Sequence, residues 1–149
     1  MNNHRFIDLV TRRKVIRGWD DRCSYIVDVT PLEEAIHNRD KEMVELLLKA
    51  GADPNSKDRF ETTLLHYAIR LFDTRIVECL LNYGANVNVI SYNQSYLHMT
   101  ARMKYDCSGI IELLVQNGID TSLLDGNGKT ALQVASKNNR RRLKLLLKE

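Results

Sequence analysis

A chain of 149 residues, 44% hydrophobic, with seven glycines and two prolines, suits one domain of roughly 100–200 residues and shows no linker or disordered arm. Its 22 basic and 19 acidic residues leave a net charge of only +3, which excludes a strongly basic tail; no apolar run approaches the ~20 residues that cross a bilayer, and the charged N-terminus lacks the apolar centre of a signal peptide. Three cysteines without a C-x-x-C pair argue against a disulfide framework, so the expectation is a soluble protein of the cytoplasm, with the nucleus also open to it, or of the host cell if a pathogen makes it.

Glycines 18, 51, 84 and 118 each close an apolar run, at intervals of 33, 33 and 34 residues. Gly18-Trp19-Asp20 stands 33 residues before Gly51-Ala52-Asp53, so residues 5–29 are read as an N-terminal cap. Within it, 5–17 is predicted to be a helix with Phe6, Leu9, Val10 and Val15 inward and Arg12, Arg13, Lys14 and Arg17 outward. In the first unit Thr30 caps and Pro31 opens a helix through Leu32, Ala35 and Ile36. A break at Asn38-Arg39-Asp40 leads to a second helix whose apolar positions 43, 46, 47 and 50 follow the spacing of one buried stripe. Gly51 ends it in the left-handed conformation.

The second unit repeats the pattern 33 residues on, with Thr63, Leu65, Ala68 and Gly84, and a second helix carrying Ile76, Val77, Leu80 and Leu81. The third is irregular. Ser95 follows Thr63 by 32 and Gly118 follows Gly84 by 34, so its finger turn is one residue short and its helix-helix turn, within Lys104 to Gly109, two longer. A tolerated insertion is favoured over a recognition loop there, because surface loops lengthen at small entropic cost. The fourth unit opens on the turn-rich Asp125-Gly126-Asn127-Gly128-Lys129-Thr130 and continues through Leu132, Ala135, Leu143, Leu146 and Leu147. Lys144 replaces a buried valine and Lys137 to Arg142 are polar, as a terminal cap requires. The repeat cores are thus 30–58, 63–91, 95–124 and 130–149 of a single domain.

The phrases TPLEEAI, TLLHYAI, SYLHMTA and TALQVAS, with the closers GAD, GAN and GID, resemble the ankyrin-repeat family across residues 30–149 and more weakly from 5. The resemblance implies an all-α solenoid of about four stacked helix-turn-helix units with finger turns, acting as a non-catalytic protein-binding module. The short length and irregular third unit look similar to compact viral or parasitoid-associated ankyrin proteins that mimic inhibitors of NF-κB. That likeness implies masking of a host transcription factor or signalling protein. The alternative is an adaptor or scaffold subunit, such as a ubiquitin-ligase substrate receptor.

His66 and His98 recur at one repeat position, with Cys107 nearby in sequence, and invite a metal reading. A zinc site needs three or four converging ligands, whereas the family resemblance implies histidines that bond backbone groups linking neighbouring fingers. Glu33 and Gln133 fill the same place in the outer units, so imidazole is not required there. His4 and His37 are expected to be exposed, Cys79 to lie in the core, and Asp53 and Asp120 to structure loops. No catalytic, phosphate-binding or dinucleotide motif is present, so no enzyme activity, cofactor or metal is expected. Lys137 to Arg142 also fits a nuclear-localisation or nucleic-acid patch; a solvated capping turn is preferred.

A stacked array leaves its fingers and the outward side of each first helix free to bind. Register puts Ile26 and Val27 on the first finger, Lys57, Arg59 and Phe60 on the second, Tyr92 and Asn93 on the third and Lys129 on the fourth. On the first helices it puts His37 and Asn38, Arg70 and Leu71, Arg102 and Met103, and Lys137. Phe60, Leu71, Tyr92 and Met103 are not needed for the repeat core, and six cations surround them. A protein partner with an acidic edge follows, with no membrane or nucleic-acid partner and a monomer in isolation.

Overall fold

The computed structural model describes residues 12–17, 24–58 and 60–147. Among the described residues eight helices follow in pairs: α1 (Pro31–His37) and α2 (Lys41–Lys49), α3 (Leu64–Arg70) and α4 (Thr74–Asn82), α5 (Tyr96–Arg102) and α6 (Ser108–Gln116), α7 (Ala131–Val134) and α8 (Lys137–Leu147). Every first helix starts the same way. The hydroxyls of Thr30, Thr63, Ser95 and Thr130 accept the amide hydrogen three residues on, satisfying a donor that the first turn leaves open. Asp40 and Asp73 do the same for α2 and α4, whereas Cys107 gives α6 no side-chain cap.

Helices this short are marginal alone, so packing holds them. α1 packs on α2 and α3, α2 on α4, α3 on α4 and α5, and α5 on α6, α7 and α8. Leu32, Ile36, Leu65, Ile69, Leu80, Leu97, Ile111 and Leu143 are fully buried along the resulting core. Gly84 and Gly118 close α4 and α6 at φ +89° and +77°, with open space where a Cβ would stand, so conformation rather than crowding demands glycine there. In α2 the buried stripe is Val44 and Leu48 with Leu47 half-buried; Met43 and Leu46, predicted to be inward, are 45% and 60% exposed. The stripe turns toward α4, one residue from the predicted phase.

Two asparagines 33 residues apart tie successive units. Asn55 donates to the Gly84 carbonyl (3.1 Å) and accepts from the Asn86 amide (2.7 Å); Asn88 does the same with Gly118 (3.1 Å) and Asp120 (2.7 Å). The loop aspartates are local: Asp53 accepts from the Asn55 amide at 2.8 Å, and Asp120 from the amide and hydroxyl of Ser122 at 2.9 and 2.6 Å. The Ser122 hydroxyl and amide hold the Asp120 carboxyl below its ordinary value.

The N-terminal cap differs from expectation. Residues 12–17 form a strand, β1 (Arg12–Arg17), paired antiparallel with β2 (Ser24–Val29) in the register Arg12↔Val29 to Arg17↔Ser24. The predicted helix is therefore wrong over 12–17, and its remainder, 5–11, lies outside the described residues. Val15-Ile16 and Tyr25-Ile26-Val27 are β-branched and aromatic, which favours strand, and pairing satisfies backbone groups that a single helical turn would leave open. The glycine interval carried the spacing of a unit but not its conformation.

The long turn after α5 runs from Met103 to Cys107, against Asn38 to Asp40 and Leu71 to Asp73 in the first two units. Asn139 of α8, fully buried, holds it: its side-chain amide donates to the carbonyls of Thr100, Met103 and Tyr105 at 3.0–3.1 Å, and its oxygen accepts from the Cys107 amide at 2.9 Å. The added residues are anchored, not loose.

Candidate partner-binding groove

The second and fourth fingers share one construction. In the second, the Asp58 amide donates to the Thr62 carbonyl (2.9 Å), while Asp58 Oδ1 accepts from the amides of Phe60 and Thr62 (both 2.8 Å). In the fourth, Asp125 donates to Lys129 (2.8 Å) and accepts from the amides of Asn127 and Lys129 at 2.9 and 3.0 Å. Glu61 and Gly128 supply the left-handed residue, at φ +61° and +69°. The third finger has Ser91 instead of the aspartate and is a tight hairpin, β3 (Ile90–Ser91) and β4 (Gln94–Ser95), joined by Tyr92 and Asn93 at φ +52° and +59°. Two consecutive left-handed residues define the turn that suits a two-residue hairpin loop, and tyrosine is an uncommon occupant. Its ring stands 72% exposed.

Between these fingers lies a groove of about 450 Å³. Phe60 and Thr62 form one wall and Tyr92 and Gln94 the other; His66, Tyr67 and Arg70 of α3 and Met99, Arg102 and Met103 of α5 complete it. Phe60 is 64% exposed, so the groove presents two aromatic rims. Tyr67 donates its hydroxyl to Asp58 Oδ2 (2.6 Å), and burial together with that carboxylate pushes its pKa well up.

The charges are partly spent inside the molecule. Arg102 pairs with Asp125, whose side chain is 2% exposed, and Lys57 pairs with Glu61 at 2.8 Å. Backbone donation from Lys129 first, with the Asn127 amide and Arg102 adding to it, keeps the Asp125 carboxyl below its ordinary value. Among the described residues Arg70 has no acidic partner.

A family model for ankyrin repeats matches residues 32–125 in three copies. The chain is an ankyrin-repeat protein. It is similar to E3 ubiquitin-protein ligase KEG of Arabidopsis thaliana (34% identical over 99 residues, 64% of this chain, 6% of that protein) and to putative ankyrin repeat protein L92 of Acanthamoeba polyphaga mimivirus (33% over 95 residues, 64% and 22%). Among solved structures it resembles the ankyrin repeat domain of Bcl-3, a member of the IkappaB protein family, with a TM-score of 0.70 and 31% identity over 81% of this chain and 52% of that one. The chain thus spans less than a quarter of either curated relative. An ankyrin array of this kind is a protein-protein interaction module.

Of the residues predicted to bind, this ankyrin-repeat protein gathers Phe60, Arg70, Tyr92, Arg102 and Met103 into the groove. Asn93 opens instead onto a polar depression beside Asp125 and Gly126, and Leu71 is half-buried against the core. His37 lies against Tyr67, with ring centroids 4.9 Å apart, and Asn38 lines a separate hollow with Pro31, Ala35 and Met43. Ile26 and Val27 lie on β2, opposite Val15 and Lys14. Lys129 and Lys137 are exposed, and Arg59 lies outside the described residues. Sequence reasoning placed Gln94 on the third finger, missed Tyr67 and Met99, and treated His66 as purely structural.

The two family histidines are not equivalent. His98 behaves as the resemblance implies: Nδ1 bonds the Ser95 hydroxyl (2.8 Å) and Nε2 the Lys129 carbonyl (2.9 Å). His66 does neither. The Thr63 hydroxyl that should meet its Nδ1 is taken by the Tyr96 hydroxyl, leaving Nδ1 buried without a partner. Burial, then the charge of Arg70, lowers the His66 pKa.

Among the described residues no three His, Cys, Asp or Glu side chains converge as a metal site would need, and no helix is long and apolar enough to cross a membrane. Cys79 and Cys107 are buried free thiols whose pKa burial raises. In the basic run, Arg142 pairs with Glu112 and Arg140 reaches the Gln133 carbonyl at 3.5 Å.

Proposed function

We propose that this protein is a non-catalytic module that covers or tethers a protein partner through its finger and first-helix face, centred on the groove between the second and third repeats. The carrying observation is the pair of exposed aromatics, Phe60 and Tyr92, flanking a depression that holds Arg70, an arginine with no acidic partner among the described residues. Aromatics and arginine dominate interface energies, at about 2 kcal/mol or more each on truncation. Around that centre the footprint extends to Ile26, Val27, His37, Asn38, Lys57, Arg59, Leu71, Asn93, Arg102, Met103, Lys129 and Lys137. The partner carries an acidic edge, since Arg70, Lys129 and Lys137 have no acidic partner among the described residues.

Within this class, inhibition of a host transcription factor or signalling protein in the cytoplasm or nucleus is the reading we favour. The likeness to the Bcl-3 domain and to a viral ankyrin protein supports it. An adaptor in a ubiquitin-ligase assembly is the second reading, supported by the similarity to KEG.

The test is affinity purification from host lysate with the wild-type protein, a Phe60→Ala/Arg70→Glu variant, and Glu78→Lys on the outer helix α4 as control. Loss of a partner from the groove variant alone is expected. Equal recovery by all three proteins sinks the groove as the site. Absence of any Rel-type factor, with an unchanged reporter for that pathway, removes the transcription-factor version, and recovery of a cullin-type or Skp-type partner favours the adaptor.

A further inference from the structure

In the third repeat, the Lys129 carbonyl accepts from both the Asp125 amide and His98 Nε2, so the fourth finger provides a dock for the imidazole of the preceding helix. The equivalent finger residue for His66 is Gln94, one before Ser95 as Lys129 is one before Thr130. Because the third finger is one residue shorter and folded as a tight hairpin, no such bond forms. His66 is 6% exposed and lines the groove, yet neither ring nitrogen has a hydrogen-bond partner among the described residues.

Which nitrogen carries the proton follows from burial. An unpaired buried N–H is worse than an unpaired lone pair, so buried Nδ1 holds the lone pair and Nε2 the hydrogen. Nε2 is not sealed as Nδ1 is, which makes it a donor facing the groove without an acceptor. The ring is held between Tyr67, Tyr92 and Tyr96, at centroid distances of 6.1–6.4 Å, so it is already oriented.

We infer that His66 reads the partner: its Nε2–H donates to a carboxylate on the docked segment, and Arg70, one helical turn along α3, supplies the second contact to the same group. The inference rests on the groove being the docking site. Charge selects the occupant. Asp58, the acid closest in effect to His66, is consumed by two amides and the Tyr67 hydroxyl, and Arg102 is consumed by Asp125. Of the two cations that line the groove among the described residues, Arg70 has no acidic partner there, and residues four apart share a helix face. The occupant is therefore a peptide segment with an aspartate or glutamate beside an apolar side chain that seats between Phe60 and Tyr92.

A second proton would have to go onto buried Nδ1, which has no acceptor, so the docked ring stays neutral and affinity holds steady from about pH 8 to about pH 6.

The experiment pans a display library of random dodecapeptides on the protein and measures the enriched peptides by fluorescence polarisation from about pH 8 to about pH 6. Enriched peptides should carry Asp or Glu next to an apolar residue and weaken roughly tenfold or more in His66→Phe and in Arg70→Glu. His66→Gln, which keeps an amide donor near the Nε2 position, should retain affinity across that pH range. It also serves where the phenylalanine variant folds poorly. Peptides lost from Phe60→Ala but indifferent to His66→Phe and His66→Gln overturn the histidine's role and leave the groove standing. Peptides indifferent to Phe60→Ala as well overturn both.

Discussion

The junction between the second and third repeats and the junction between the third and fourth are built from homologous parts and end up with different properties. At the later junction a three-residue loop, an aspartate and a free serine hydroxyl hold His98 by both nitrogens, and the Asn93 carbonyl takes the Gly126 amide at 3.0 Å. At the earlier one, a two-residue hairpin and the intrusion of the Tyr96 hydroxyl leave His66 with neither bond. One missing residue and one tyrosine at a position that is leucine in the preceding unit convert a structural histidine into an unengaged one. Repeat position alone does not assign a role.

The contrast can be broken at several points. The largest effect is expected at Asn139: replacement by leucine leaves the carbonyls of Met103 and Tyr105 and the Cys107 amide without their buried partner, costing about 3 kcal/mol in denaturant unfolding. A cost near zero would show that the long turn is not tied to α8. Next, His98→Phe should cost about 2 kcal/mol by removing both ring bonds, whereas His66→Phe should cost less than about 1 kcal/mol, being a near-isosteric change that breaks no hydrogen bond. Equal costs would erase the difference between the junctions.

A titration sharpens the same point. The folded His66 pKa lies below the ordinary 6.5, so between those values the unfolded chain binds the extra proton. Stability should fall as pH drops from about 6.5 through the folded value, and His66→Phe should remove that component, read as the shift in urea midpoint between about pH 7.5 and about pH 5.5. The smallest effect is at the hairpin: Asn93→Gly, in a turn that prefers glycine second, should add about 0.5 kcal/mol to stability. A loss there would mean that the asparagine side chain supports the third finger.

Much of this was legible beforehand. Hydroxyl caps three residues before an amide, helix-closing glycines at 33-residue spacing and the one-residue deficit of the third finger are local or periodic, and sequence displays both. The hairpin at 12–17 was not, because the glycine interval outweighed the β-branched runs Val15-Ile16 and Ile26-Val27 that pairing exploits. Asn139 sits within the polar run Lys137 to Arg142 and its role is not local, since the turn it closes lies over thirty residues away and depends on how α8 packs beneath α5. The pairing of Arg102 with Asp125 was hidden for the same reason, and with it the contrast with Arg70, which has no acidic partner among the described residues.

Asn139 has a consequence for how the array comes apart. Solenoids of nearest-neighbour units can peel from an end, because each unit is coupled only to the next. Here a single amide side chain in α8 closes backbone groups on both sides of the preceding unit's turn. Fraying of α8 therefore strips the third unit of its internal closure, so these two units melt together as one cooperative block and the weaker boundary falls at the groove.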